Sequence, residues 1–261
     1  MQTKAVVDHI VGWLEDYRMA AGSDGFVVGV SGGVDSAVTS VLCARTGSAT
    51  ILLDMPIHQS SLQRNRGLAH IRQVEAQFSN VTSASVDLTH TFDVLVEALK
   101  ASGDDATHQL ALANTRSRLR MTTLYYFAGS RGLLVAGTGN KVEDFGVGFF
   151  TKYGDGGVDL SPIADLMKSE VYTLGRELGV SDEILNAPPT DGLWGDDRSD
   201  EDQLGATYPE LEWAMGFSGD ESKLSVRQGE VLEIYRRHHA ANTHKMKSIP
   251  VCLIPASLRP L

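Results

Sequence analysis

Within one short turn, Ser31-Gly32-Gly33-Val34-Asp35-Ser36 combines glycines, hydroxyls and a carboxylate, the groups that phosphate chemistry uses. Gly32 and Gly33 have no Cβ, so the backbone can turn tightly and approach a ligand closely. A helix starting at the end of this loop would aim its first amides, with the Ser31 and Ser36 hydroxyls, at one anion. The loop contains no lysine and matches neither G-x-x-x-x-G-K-[ST] nor G-x-G-x-x-G. Asp35 sets it apart. A carboxylate repels phosphates unless a divalent cation lies between them, and Mg2+ takes carboxylate and phosphate oxygens together. Asp35 as a simple cap of the next helix is the alternative, and loop chemistry alone leaves both open.

Other residues with chemical capacity lie further along. Glu143 follows Gly137-Thr138-Gly139-Asn140, and Lys152 and Lys168 flank a stretch with glycines at 154, 156 and 157. Arg116, Arg118 and Arg120 alternate, so a helix would spread them and only some could face one cleft, the others being solvated. His238, His239 and His244 have no cysteine or carboxylate beside them at ligand spacing, which argues against zinc. The pairs Tyr125–Tyr126 and Phe149–Phe150 read as core. Cys43 and Cys252 are far apart and form no C-x-x-C, as expected of thiols in a reducing compartment.

Positioning these groups falls to alternating elements. Apolar runs predict strands at 26–30, 50–54, 81–86 and 133–137. Helical periodicity covers 2–18, 37–45, 61–78, 92–100, 108–130, 165–178, 208–216 and about 221–239. The glycine-rich 138–163 and the polar 186–203 read as loops, the former too long to be without function. Strand and helix in alternation predict an α/β fold, a doubly wound and mainly parallel sheet flanked by helices, with ligand at the carboxyl ends of the strands.

Composition narrows the class. The 261 residues are 42% hydrophobic and 21% charged, which excludes disorder and suits one domain spanning 1–261. A formal charge of −10 argues against binding nucleic acid through a broad basic face. The first eighteen residues carry Asp8, Glu15 and Asp16, unlike a signal peptide. No apolar run reaches membrane-spanning length. A cytoplasmic, soluble protein is the expectation.

The loop after an apolar strand resembles the pyrophosphate-binding loop of N-type ATP pyrophosphatases. The segment 137–172 closely resembles ammonia-dependent NAD+ synthetases of that superfamily, as do, in order, NTRSRLRM (114–121), PPTDGLW (188–194), DEDQLGATY (200–208) and His244–Lys245. The resemblance implies an adenine nucleotide alpha hydrolase-like fold and a ligase. ATP would adenylate the nicotinate carboxylate of deamido-NAD+, pyrophosphate would leave, and ammonia would displace AMP to give NAD+. Gly29, Val30, Ser31, Gly32, Gly33, Val34, Asp35, Ser36, Thr138, Lys168 and Thr190 would contact ATP. Asp35 and Glu143 would bind Mg2+, and Arg118, Lys152, Asp159, His244 and Lys245 deamido-NAD+. Asp35, Glu143 and Lys168 would be catalytic. The base for ammonium has no sequence signature, and Asp159 is a candidate for it. A glutaminase domain would need a further couple of hundred residues, so free ammonia is the expected donor. A homodimer is implied by resemblance alone. Asp191, Asp196 and Asp197 make the loop after GLW more acidic than the family pattern. A GMP synthetase core and a non-catalytic adenine-nucleotide sensor are the alternatives, the latter disfavoured by Glu143 and Lys168.

Overall fold

The computed structural model describes residues 1–99, 106–190, 192 and 199–259; the acidic positions 191, 196 and 197 lie outside the described residues. Four strands, β1 (Gly25–Gly29), β2 (Ala49–Asp54), β3 (Val81–Ser85) and β4 (Leu133–Val135), form one parallel sheet in the order β3-β2-β1-β4. β1 lies between two neighbours, with Val27 opposite Ile51 on one side and Val135 on the other. Buried on both faces, it reads as a continuous apolar run, Phe26, Val27 and Val28 being fully covered. β3 is an edge strand with Thr82 and Ser83 exposed, so it carries more polar residues than the strands inside the sheet.

The helices are α1 (Thr3–Ala21), α2 (Val34–Arg45), α3 (Ser61–Gln77), α4 (Thr89–Ala98), α5 (Ala106–Arg131), α6 (Lys168–Glu177), α7 (Asp182–Leu185), α8 (Asp200–Leu204), α9 (Tyr208–Gly216) and α10 (Val226–Met246). Along β1 the side chains alternate between two cores. Phe26 and Val28 join Leu14, Val38 and Leu174 of α1, α2 and α6, whereas Val27 joins Phe92 and Ala128 of α4 and α5. A third apolar cluster, including Val142, Val147, Leu211 and Val231, joins α9, α10 and a π-helical turn at Val142–Val147.

The sheet is the predicted parallel, helix-flanked one, and its four strands coincide with the expected runs to within two residues at either end. Three differences have local causes. The 138–163 segment is not structureless, because Asn140 Oδ1 accepts the Val142 and Glu143 N–H groups and so starts the π-helical turn. Within 186–203, α8 begins at a capping box in which Ser199 pairs with Asp202. The last helix starts at 226 rather than 221, where Ser225 and Gln228 form another such box, and runs to Met246, beyond the expected end at about 239.

Candidate active site

β1 and β4 are adjacent, but the chain reaches them from opposite directions, outward through β2 and β3 and then back. Their carboxyl ends therefore form the topological switch point, where a crevice opens. A cavity of about 220 Å³ lies there, lined by both following loops and by α5.

After β1, the loop is drawn into a tight hydroxyl-bonded turn. Ser31 N–H donates to Ser36 Oγ at 3.2 Å, and Ser36 Oγ donates to the Gly33 carbonyl at 3.0 Å. α2 starts inside the motif, at Val34, and no side chain caps it, so its leading amides face the loop unclaimed by a cap. Gly32 has φ +85°, and a Cβ there would stand 2.5 Å from the Gln63 carbonyl oxygen of α3. Its glycine is thus required by helix packing. Val34 packs its side chain into the core beside Val38 and so offers the loop its backbone alone, which is the part a phosphate cradle uses.

After β4, Ala136 bridges to Leu160, and Lys141 N–H donates to the Leu166 carbonyl at 2.9 Å. This pairing brings Lys168, first residue of α6, beside Glu143. Lys168 Nζ donates to Asp35 Oδ2 at 2.6 Å and to Glu143 Oε1 at 2.8 Å. Asn140 Nδ2 donates to Asp35 Oδ1 at 3.0 Å, and the Tyr208 hydroxyl donates its one proton to Glu143 Oε1 at 2.5 Å, with Asp200 Oδ2 3.3 Å away. The Lys168 ammonium also lies 4.7 Å from the centre of the Tyr208 ring. Burial of Lys168 opposes its charge, but the adjacent Asp35 and Glu143 outweigh that and hold the ammonium above its ordinary pKa. Burial and the two carboxylates push the Tyr208 phenol up, so it stays protonated and can donate. Burial also opposes the charge of Glu143, but Lys168 and Tyr208 bring its pKa below the usual value; Asp35, beside the Glu143 charge, is raised mainly by burial.

Two hard carboxylates on one cavity wall, drawing a single ammonium between them, suit Mg2+, which takes one or two carboxylates and completes its shell with phosphate oxygens and water. Thr138 and Thr190 line the same cavity, as do Gly29, Val30, Ser31, Gly33 and Ser36.

The residues expected at the second substrate form a separate chain of contacts. Arg118 donates from Nε and Nη2 to the Lys152 carbonyl, both at 3.3 Å. Lys152 Nζ donates to the His244 carbonyl at 3.3 Å, and Lys245 Nζ to the Phe150 carbonyl at 2.7 Å. Asp159 is not among them. Its carboxylate accepts from Val135 N–H at 2.8 Å and from the Tyr125 hydroxyl at 3.0 Å, and it does not line the cavity. Arg116 and Arg120 are not the solvated groups expected: the former lies 4.4 Å over the Phe92 ring, and the latter lines the cavity and donates to the Met55 carbonyl at 3.0 Å. Tyr125 and Tyr126 are exposed rather than core. Asn140, Asp200 and Tyr208 escaped the sequence reading, although the last two lie in its DEDQLGATY block.

A sequence profile of the family described as NAD synthase matches residues 6–248. The NH(3)-dependent NAD(+) synthetase of Syntrophomonas wolfei is 38% identical over 266 residues, covering 99% of this chain and 100% of that one. Among solved structures, an NMN synthetase from Francisella tularensis superposes with a TM-score of 0.84 at 30% identity, covering 98% of this chain and 99% of the other. An NH3-dependent NAD synthetase from Campylobacter jejuni shares the fold, with a TM-score of 0.76 at 22% identity over 97% of this chain and 100% of that one.

Proposed function

Because the chain belongs to the NAD synthase family, we propose that it makes NAD+ from deamido-NAD+, ATP and ammonia, using the cavity between β1 and β4. The enzyme is a ligase that forms a carbon–nitrogen amide bond. A carboxylate resists ammonia because its oxide is a poor leaving group. The nicotinate oxygen therefore attacks the α-phosphorus of ATP, the bond from that phosphorus to the bridging oxygen breaks, and pyrophosphate leaves. Ammonia then attacks the acyl carbon, and the carbon–oxygen bond to AMP breaks. Both steps depend chiefly on positioning and on neutralising charge.

The β,γ-phosphates would lie against the Gly29–Ser36 backbone, the Ser31 and Ser36 hydroxyls and the leading amides of α2, with Thr138 and Thr190 on the same nucleotide. Asp35 and Glu143 would hold Mg2+ against the polyphosphate, and the ion, when bound, neutralises phosphate charge. Lys168, shared between the two carboxylates in the free chain, has its ammonium within the same cavity wall and would turn to a phosphate oxygen. Arg118, Lys152, His244 and Lys245 would hold the pyrophosphate of deamido-NAD+, a natural partner for a guanidinium. Asp159 would act on that substrate through its hydrogen bond with exposed Tyr125. The exposed Trp13, Tyr17 and Tyr126 support a second copy of the chain as partner, in a homodimer.

The single observation that carries this reading is the Asp35–Lys168–Glu143 bridge at the switch point, inside a chain matched by the family over 6–248. The test is incubation with ATP, Mg2+ and an ammonium salt, adding deamido-NAD+, xanthosine monophosphate or nicotinate mononucleotide in turn. The last is included because the Francisella relative is named an NMN synthetase. NAD+ and pyrophosphate formed in equal amounts from deamido-NAD+ is the expected result. Product only from xanthosine monophosphate would overturn it, and ATP binding without pyrophosphate release under any condition would mark a sensor.

A further inference from the structure

Asn140 is completely buried where the loops after β1 and β4 meet. Its amide orientation follows from its neighbours. The Val142 and Glu143 backbone N–H groups, each 3.1 Å away, can only donate, so they face Oδ1. Nδ2 is left to donate to Asp35 Oδ1 at 3.0 Å. One planar amide therefore ties the backbone that carries Glu143 to the carboxylate of Asp35. Lys168 also joins the two carboxylates, but through a mobile ammonium that the reaction would share with phosphate. Tyr208 steadies Glu143 alone. Asn140 spans both loops without being needed elsewhere.

We propose that Asn140 is the positioning residue that sets Asp35 and Glu143 at the separation a divalent cation requires. The inference rests on reading that pair as the Mg2+ site. It makes a specific demand on residue 140, an acceptor toward the π-helical turn together with a donor toward Asp35. Aspartate or serine could meet the first half and not the second.

The variant Asn140→Ser separates the halves. Its hydroxyl can still cap the turn, as serine does well, but is too short to reach Asp35. Mn2+ binding to the chain with α,β-methylene-ATP, followed by electron paramagnetic resonance, should weaken about tenfold or more, as expected for loss of a hydrogen bond to a charged group. The Mg2+ concentration for half-maximal turnover should rise in proportion, while the Michaelis constant for deamido-NAD+ stays near the parent value. Unchanged Mn2+ affinity with a lowered melting temperature would reduce Asn140 to a helix cap and overturn the proposal. If the serine variant does not fold, Asn140→Thr, the other short cap-forming hydroxyl, takes its place in the same titration. Asp35→Asn runs alongside. If it weakens Mn2+ binding and Asn140→Ser does not, the positioning role alone fails; if neither does, the metal reading itself fails.

Discussion

Lys168 is the residue on which the site's charge balance turns. Its side chain is 4% exposed and those of Asp35 and Glu143 are 17% and 16% exposed, so water screens this trio weakly. Removing the cation leaves two neighbouring carboxylates uncompensated. Lys168→Met should cost about 3–5 kcal/mol in urea unfolding, the usual penalty for breaking a buried ion pair from one side. Pyrophosphate release should be lost with it. Lys168→Arg should recover part of that stability and little of the turnover, since a planar fork does not replace a compact ammonium. Equal recovery of both would show that only charge is needed at this position. At the second cluster, Arg118→Ala should raise the Michaelis constant for deamido-NAD+ about 10- to 100-fold, the value of a hydrogen bond to a charged group. That for ATP should not change, and an effect confined to ATP would place Arg118 elsewhere. Asp35, Glu143 and Lys168 were legible one by one, from residue type and family pattern. Their meeting was not, because Asp35 and Lys168 stand 133 positions apart and only the strand order brings them together. Asn140 and Tyr208 carry no signature of their own; each matters through the carboxylate it holds.

Between elements, the two loop glycines divide the work that the sequence reading gave jointly to ligand approach. Gly32 combines φ +85° with α3 backbone 2.5 Å from any Cβ, whereas a Cβ on Gly33 would meet only Ser31 Oγ, at 3.4 Å. Gly32→Ala should therefore lower the stability of the fold, by about 1–3 kcal/mol from backbone strain alone. Gly33→Ala should fold normally, so any loss of ATP affinity it shows measures how closely the nucleotide approaches. A destabilised Gly33→Ala beside an unaffected Gly32→Ala would reverse this assignment. α2 and α3 also share a buried imidazole. Ser40 Oγ donates to the Ala37 carbonyl, so it accepts from His70 Nε2 at 2.8 Å, and His70 Nδ1 has no partner among the described residues. Burial lowers the His70 pKa from 6.5 to about 4. Between those values the unfolded chain binds a proton that the folded chain refuses, so stability falls as the pH drops from 6.5 to about 4 and this contribution is complete below it. The loss is of the order of 3 kcal/mol. Unfolding midpoints of the parent and His70→Gln, compared at pH 7 and pH 5, should converge toward the acid side, and parallel pH dependence would exclude His70 as the cause.

For the molecule as a whole, the sheet supplies the crevice, and α10 packs on the π-helical turn that carries Glu143 to it. The parallel sheet was legible in the alternation of strand and helix; its order, β3-β2-β1-β4, which sets the switch point between β1 and β4, was not. The reach of α10 was not, because its last turn, Asn242 to Met246, is polar and reads as tail. Those residues are held by backbone groups elsewhere in the chain. Asn242 Nδ2 donates to the Val147 carbonyl at 2.8 Å, His239 Nδ1 to the Gly146 carbonyl at 2.7 Å, and Lys245 to Phe150. The helix thus straps the π-helical turn that carries Glu143 and the loop that carries Lys152. Beyond it, Ile249, Val251, Leu253 and Leu258 are largely exposed and bury little against the chain's own body. Ending the chain after Ser248 should therefore leave the melting temperature and NAD+ formation close to the parent. Ending it after His238 removes the strap, and should lower the melting temperature and abolish amidation while the β1 loop, held by its own hydroxyl bonds, still binds ATP. Loss of ATP binding in the shorter chain, measured by calorimetry, would mean that the two halves of the crevice do not stand independently and that α10 supports the nucleotide site as well.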